Sequence, residues 1–455
     1  MRFFLAGLTL FSLNTWAAKP LCPDCNIVLI ALDATQAAHM HYLGYKAETT
    51  PNLDKLAQQA YVFTNAISPA SWTIPTYLSI FSAMYPSSHG LTNRYQVFNK
   101  TEQKVLNFKN RSPEILTMAQ IFKSHGYLTG GFTGDSGLSA ALGYDKGFDQ
   151  YTDETAFGGL ENSLDKSKSW LDRAKGHRFF LFLHGYDDHG QFKLPANFVS
   201  SFWDEKKQVK YKGTAEEQTK LRELGLKGEM PQLTLDEIEF WRAWYDGKIA
   251  RADSRVGVIL DDLRKRGLLD KTLIVVFSDH GTEFFEHGRV DHGHTLYDEL
   301  IHVPLLVALP GQKLRKDIPG QVSTQALLPT LLDLVGISMA QPLKTQVQTK
   351  SLVAAMQSKT WSGEDVFSET DYRAYTHKRS LRSKDGWKYI MTLETGGEEL
   401  YDLGRDPGEH QNLATKEKNK LTQLKNRLMQ HLSEIPNAKT LSPSACLPVY
   451  PGQCD

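Results

Sequence analysis

NIVLIAL (26–32) is apolar from Ile27 to Leu32 and stops on Asp33. A strand with one wet face alternates polar and apolar residues; this one does not, so it reads as a buried parallel strand with a carboxylate at its C-terminal edge. The pattern returns in FFLFLH (179–184), ending on His184, and in TLIVVFSDHG (272–281), which carries Asp279 and His280. Open α/β sheets place ligands at that edge, so the three strand ends bring potential metal ligands and acid-base groups together. Helical patterns lie between them: NLDKLAQQA after Pro51, IPTYLSIFSAM after Thr73, SPEILTMAQIFKSHG closing at Gly126, and a long one from Leu235 to Arg266 closing at Gly267. This alternation predicts an α/β fold, a mostly parallel sheet sandwiched by helices. After about residue 345 the rhythm fades. SLRSKDGWKYIMTLETGGEELYDL (380–403) reads as short antiparallel strands with Gly turns, and KEKNKLTQLKNRLMQHL as a closing helix. The expected division is a large domain over 18–345 and a smaller α+β subdomain over 346–455, with its cysteine-containing tail.

Lys+Arg and Asp+Glu each total 52 in 455 residues, so no global basic field points to nucleic acid, and any anion site must be local. Arg2 precedes the apolar stretch FFLAGLTLF, with small residues at Thr15 and Ala17; this predicts a signal peptide over 1–17 and export, periplasmic or secreted. The apolar run is shorter than the ~20 residues that span a bilayer, and no later segment supplies a transmembrane helix. The four cysteines, Cys22, Cys25, Cys446 and Cys454, flank the mature chain. An even count after export predicts two disulfides in any of three connectivities, a zinc site being the less favoured alternative. Residues 193–232, rich in Lys, Glu and Gln, read either as a lid over the site or as a solvated helix pair.

A divalent metal that activates a hydroxyl needs carboxylates to hold it and an open position for the ester oxygen. Asp33, Asp279 and His280 offer two carboxylates and an imidazole, while Thr73 opens a helix behind Pro75. A helix N-terminus also suits a tetrahedral oxyanion. The ordinary alternatives are a helix cap at Asp33, an N-cap at Thr73 and a turn at Asp279-His280. His292 and His294 straddle Gly293, and on an extended segment both would point to one face.

The segments NIVLIALDA and TTPNLDKLAQQAYVFTNAISPASWTIPTYLSIFSAMYPSSHG, then YDGKIARADSRVGVILDDL, TLIVVFSDHGTEFFEHGRVDHGHTLYDELIHVPLLVALPG and QALLPTLLDLVGI, and finally RSLRSKDGWKYI and EELYDLGRDPGEHQNLA, together resemble the sulfatase-like branch of the alkaline phosphatase superfamily, over nearly the whole mature chain. The resemblance implies a metal-dependent ester hydrolase. It implies Asp33, Asp279 and His280 as metal ligands and Thr73 as ligand and nucleophile, with His184, His189, His292 and His294 facing the site. Asp187 either orients the ligands from behind or caps a loop; Tyr245 and Asp253 pack or cap. Sulfatases proper carry Cys or Ser at the Thr73 position, oxidised to an aldehyde, followed by an Arg where this chain has Tyr77. Oxidised threonine would give a ketone. The Lys-x-His pair of the family is also absent, replaced by FTGDSG (132–137). These departures favour phosphate esters or phosphodiesters over sulfate esters, a phosphothreonine intermediate passing to water or an acceptor alcohol. The rivals are a sulfatase in substrate and a catalytically weak anion- or glycan-binding relative. The imidazole favours zinc or manganese, with calcium the alternative. The ester is a small molecule, a glycan or a lipid headgroup.

Overall fold

The computed structural model describes residues 20–435, apart from 94, 98–102, 135, 154–156, 191, 196–197 and 374. The expected signal segment, Cys446 and Cys454 lie outside the described residues. The elements that build the site and its support are, in chain order, β1 (Asn26–Leu32), α1 (Pro51–Ala57), β2 (Tyr61–Phe63), α2 (Thr73–Ser82), α3 (Met118–Ser124), β3 (Leu128–Phe132), β4 (Gln150–Thr152), α4 (Leu160–Ala174), β5 (Phe179–Gly185), α5 (Ala215–Lys227), α6 (Leu235–Lys265), β6 (Thr272–Ser278), β7 (Leu305–Ala308), β8 (Lys316–Ile318), α7 (Leu327–Val335), β9 (Val366–Tyr372), β10 (Thr376–Arg382), β11 (Trp387–Thr392), β12 (Glu398–Asp402) and α8 (Lys418–Glu434).

One sheet takes the order β8-β2-β7-β6-β1-β5-β3-β4. Its pairs are parallel except those made by β7. β1 lies at the centre, and every residue of it is buried, which is why its sequence does not alternate. Ile27, Leu29 and Ala31 pack with Tyr77 and Ile80 of α2, Phe122 of α3 and Leu331 of α7. Val28, Ile30 and Leu32 pack on the opposite face with Leu53 of α1, Leu171 of α4 and Ile249 and Val256 of α6. Each of the larger of these side chains contributes roughly 1.5–3 kcal/mol by burial. Register then sets the site: Leu32 pairs with Ser278 on one side and Gly185 on the other, so Asp33 and Asp279 emerge side by side, with His184, level with Ala31, two residues below.

The long helix matches expectation. α6 starts on a capping box between Thr234 and Glu237, and Gly267 follows its end with φ +67°. The helix expected over 112–126 begins only at Met118. Thr117 forms a capping box with Gln120 there, which fixes the start and leaves the preceding residues outside the helix. Among the described residues of 193–232, only α5 is a long regular helix. β9 to β12 form a four-stranded antiparallel sheet. α8 covers it through Leu424 and Leu428 against Leu381, Tyr389 and Leu400. Cys22 and Cys25 are bonded to each other, so the first pair closes locally and does not join the chain ends. Among the described residues no helix is long and apolar enough to cross a membrane.

Candidate metal and catalytic site

β1 ends because the backbone turns sharply after Asp33: Ala34 has φ +58°, a conformation rare for a residue with a side chain. The turn is braced from both sides. Ala34 N–H donates to Asp279 Oδ1 (3.2 Å) and Thr35 N–H to Ser278 Oγ (3.0 Å). From α6, the Tyr245 hydroxyl donates to the Ala34 carbonyl (2.7 Å) and accepts from Gln36 N–H (2.8 Å). Tyr245 therefore packs and braces, while Asp253 caps α1 by accepting from Asn52 N–H (2.9 Å) and Leu53 N–H (2.7 Å).

Ligand atoms of Asp33, Asp279 and His280 lie within 4.8 Å of one another, and all three residues are buried. Asp279 Oδ1 also accepts from His280 N–H (2.9 Å), but Oδ2 accepts no hydrogen bond from the described residues and lies 3.3 Å from His280 Nε2. A buried carboxylate oxygen without a donor is costly. His280 Nδ1 donates to the Gly281 carbonyl (2.7 Å), which leaves the Nε2 lone pair for a ligand. Burial pushes the Asp279 carboxyl up and lowers His280 to about 4, so the imidazole is neutral, as a metal ligand must be. His184 Nε2 lies 3.4 Å from Asp33 Oδ2, and His189 Nε2 3.9 Å from Asp33 Oδ1. Burial holds His184 at about 3 and His189 well below the ordinary histidine range. Two carboxylates, a neutral imidazole and an adjacent hydroxyl form a donor set that fits a divalent ion.

That hydroxyl is Thr73. It is the first residue of α2, whose N-cap is Trp72. Thr73 is thus not the cap, and its Oγ1 lies 3.3 Å from His280 Nε2. Pro75 sits in the first turn, where its missing N–H costs nothing. Tyr77, at the position of the family's Arg, is fully buried beneath the site with its ring edge-on to His184 at 5.4 Å. Its hydroxyl makes no hydrogen bond to any described residue.

One expectation is corrected and one open alternative is decided. His292 and His294 do not share a face: Gly293 has φ +89° and the segment is not extended. The His292 ring stands 4.3 Å from that of His280, whereas His294 turns to Glu283, with Nε2 2.8 Å from Oε2. His294 lines a separate cavity of about 400 Å³ with His287, Tyr297 and Lys378. Asp187 resolves as a cap: its Oδ2 accepts from Leu160 N–H at the start of α4 (2.7 Å), and Oδ1 pairs with Arg251. The next residue, Asp188, bonds the Thr35 hydroxyl, and burial raises its carboxyl to about 7. Lys248 of α6 donates to the carbonyls of His189 (2.9 Å) and Gly190 (3.2 Å), and burial lowers it to about 8. Sequence reasoning passed over Asp188, Lys248, Asp291 and Arg222. For Asp291 the only signal was adjacency to the His-Gly-His segment.

A family model described as Sulfatase matches residues 25–337, and one described as N-sulphoglucosamine sulphohydrolase, C-terminal, matches 285–438. A Formosa agariphila protein named Sulfatase is 26% identical over 93% of this chain and 90% of its own. Among solved structures, one in complex with its substrate D-glucosamine-2-N,6-O-disulfate superposes with TM-score 0.68 at 18% identity, over 91% of this chain and all of that one. The phosphonate monoester hydrolase of Agrobacterium radiobacter gives TM-score 0.68 at 19% identity, over 90% and 95%. The chain belongs to the sulfatase family. It is an ester hydrolase of a family that generally uses a divalent metal.

Proposed function

We propose that this chain cleaves phosphate monoesters or diesters in preference to sulfate esters, with Thr73 as the nucleophile. The observation that carries the reading is the Thr73 hydroxyl, 3.3 Å from His280 Nε2 at the open end of α2. Asp33, Thr73, Asp279 and His280 would hold a divalent ion, zinc or manganese on the donor chemistry, which would supply Lewis acidity to lower the hydroxyl pKa and neutralise charge on the ester oxygens. The free N–H groups of the first turn of α2 face the same anion. His184 and His189 hold Asp33, and His292 serves the leaving oxygen. Threonine lacks the route to an aldehyde, and one structural neighbour is a phosphonate monoester hydrolase. Sulfate-ester hydrolysis is the second reading, favoured by the names of the relatives. The alcohol half is a glycan, a lipid headgroup or a small molecule, and the protein acts after export.

The test compares 4-nitrophenyl phosphate, bis(4-nitrophenyl) phosphate and 4-nitrophenyl sulfate. A phosphate ester should be turned over fastest, Thr73→Ala should abolish turnover, and Thr73→Ser should retain part of it. Preference for the sulfate with Thr73→Ala still active would remove Thr73 from the mechanism.

A further inference from the structure

A cavity of about 690 Å³ opens between the loop after β1, α6 and the C-terminal sheet, and none of Asp33, Thr73, Asp279 and His280 lines it. His39, only 5% exposed, forms part of its wall. The ring is held from behind: Nδ1 lies 2.6 Å from Asp246 Oδ1 on α6, and the Tyr45 hydroxyl donates to Asp246 Oδ2 (2.8 Å). A carboxylate has no proton to give, so Nδ1 carries it, and in the neutral ring Nε2 is an acceptor. That nitrogen makes no hydrogen bond to any described residue. Three further acceptors share the cavity. Asn65 Oδ1 is buried without a donor among the described residues. His302 Nε2 lies 3.1 Å from the Thr64 carbonyl and is therefore the donor nitrogen; burial lowers this histidine, which leaves Nδ1 to accept. Glu286 Oε2 accepts from Phe284 N–H (2.5 Å), but its Oε1 stands 3.9 Å from Arg242 Nη2, beyond hydrogen-bond range.

The donors of the wall are engaged or turned away. Arg382 gives Nη2 to Asp298 Oδ2 (3.0 Å) and Nη1 to Gln321, and the Arg242 side chain is 42% exposed. Burial, with the charges of Glu283 and Glu286, pushes the Glu299 carboxyl up against the pull of His287, so a further cation here would be welcome. Buried acceptors without donors are costly, and they select a ligand that brings donors and positive charge. A metal ion would need its ligands around one centre, and among the described residues only Asp33, Asp279 and His280 are grouped so closely. Acceptors spread over a wall suit donors that are also spread. Ala38, Pro319, Leu403 and Pro407 supply apolar wall for the carbon chain of such a ligand.

We propose that this cavity binds a small aliphatic diamine, whose ammonium groups donate to His39 Nε2, Asn65 Oδ1, His302 Nδ1 and Glu286 Oε1. The site is distinct from the metal centre and does not depend on the Thr73 reading. Both amines of putrescine are charged at pH 7, whereas 1,4-butanediol has the same chain length and no charge. Titration calorimetry of the metal-loaded protein at pH 7 should show one site for putrescine and none for the diol. Glu286→Gln, which keeps the size of the side chain, and Asn65→Leu should each weaken putrescine at least about tenfold, the size of one charge-assisted hydrogen bond. Asp279→Ala should bind it as tightly as the wild type. No binding of putrescine, equal binding of the diol, an affinity unmoved in both cavity variants, or its loss in folded Asp279→Ala would each overturn the proposal.

Discussion

Asp279 carries two jobs on two oxygens. Oδ1 accepts the N–H groups of Ala34 and His280, whereas Oδ2 has no donor among the described residues. Asp279→Ala removes both jobs, and losing the acceptor for buried amides costs about 1–3 kcal/mol. Asp279→Asn retains an acceptor and loses only the charge. Both variants should fold, with metal content measured by elemental analysis at background in the alanine form and reduced in the asparagine form; full occupancy in Asp279→Ala would place the metal elsewhere. His89 gives a second residue-scale expectation. It is buried, with Nε2 3.0 Å from Ser79 Oγ, and burial lowers it from 6.5 to about 3, opposed in part by the Pro75 carbonyl. The unfolded chain therefore binds a proton that the folded one refuses. This contribution to stability is complete above pH 6.5 and is lost as pH falls toward 3, roughly 2 kcal/mol of it by pH 5. Urea midpoints at pH 7 and pH 5 should converge in His89→Gln, and an unchanged gap would discount the histidine. The ligands Asp33, Asp279 and His280 were legible because apolar runs fix where strands stop, and strand register does the rest. Asp291 and Arg222 were not, since a left-handed aspartate and the docking of α5 leave no mark in periodicity. The same positive φ at Gly293 undid the extended pairing read for His292 and His294.

Among the elements, α6 and β1 were readable from caps and composition, while α3 began later than its apolar pattern because the Thr117–Gln120 box outweighs propensity for the preceding turn. The C-terminal sheet is joined to the large domain by ions as well as packing. Lys388 of β11, fully buried, places Nζ 2.9 Å from Asp298 Oδ1 and 2.9 Å from Glu409 Oε1. Arg382 of β10 reaches Asp298 Oδ2 at 3.0 Å. Burial opposes ionisation of Asp298, but the two cations hold its carboxyl well below the ordinary range. Removing one partner strands the others without compensation, so Asp298→Ala should cost about 3–5 kcal/mol. Hydrogen exchange should show the loss concentrated in β9 to β12 and the 298–303 segment. A uniform loss across the main sheet would mean that the network is not a local fastening.

For the molecule as a whole, a ligand set buried at the centre of the sheet ties metal binding to folding. Free metal at 100 times its dissociation constant adds about 2.7 kcal/mol to stability. Chelation should therefore lower Tm by several degrees in the wild-type protein and leave Asp279→Ala unmoved; equal shifts in both would point to a different ion. The sheet has a further consequence for how the protein is made. β1 leaves the ribosome first among the strands, yet its neighbours β5 and β6 come much later, and the Ala34 to Asp279 hydrogen bond spans 245 positions. At ordinary elongation rates that is roughly 10–50 s of synthesis; the fully buried β1 has neither edge covered until β5 is made and one edge bare until β6 follows. A nascent chain halted before β6 holds Asp33 and Thr73 but no Asp279 or His280. Such fragments are inert as catalysts and adhesive as polypeptides, so chaperone occupancy on stalled chains should persist until the sixth strand has emerged.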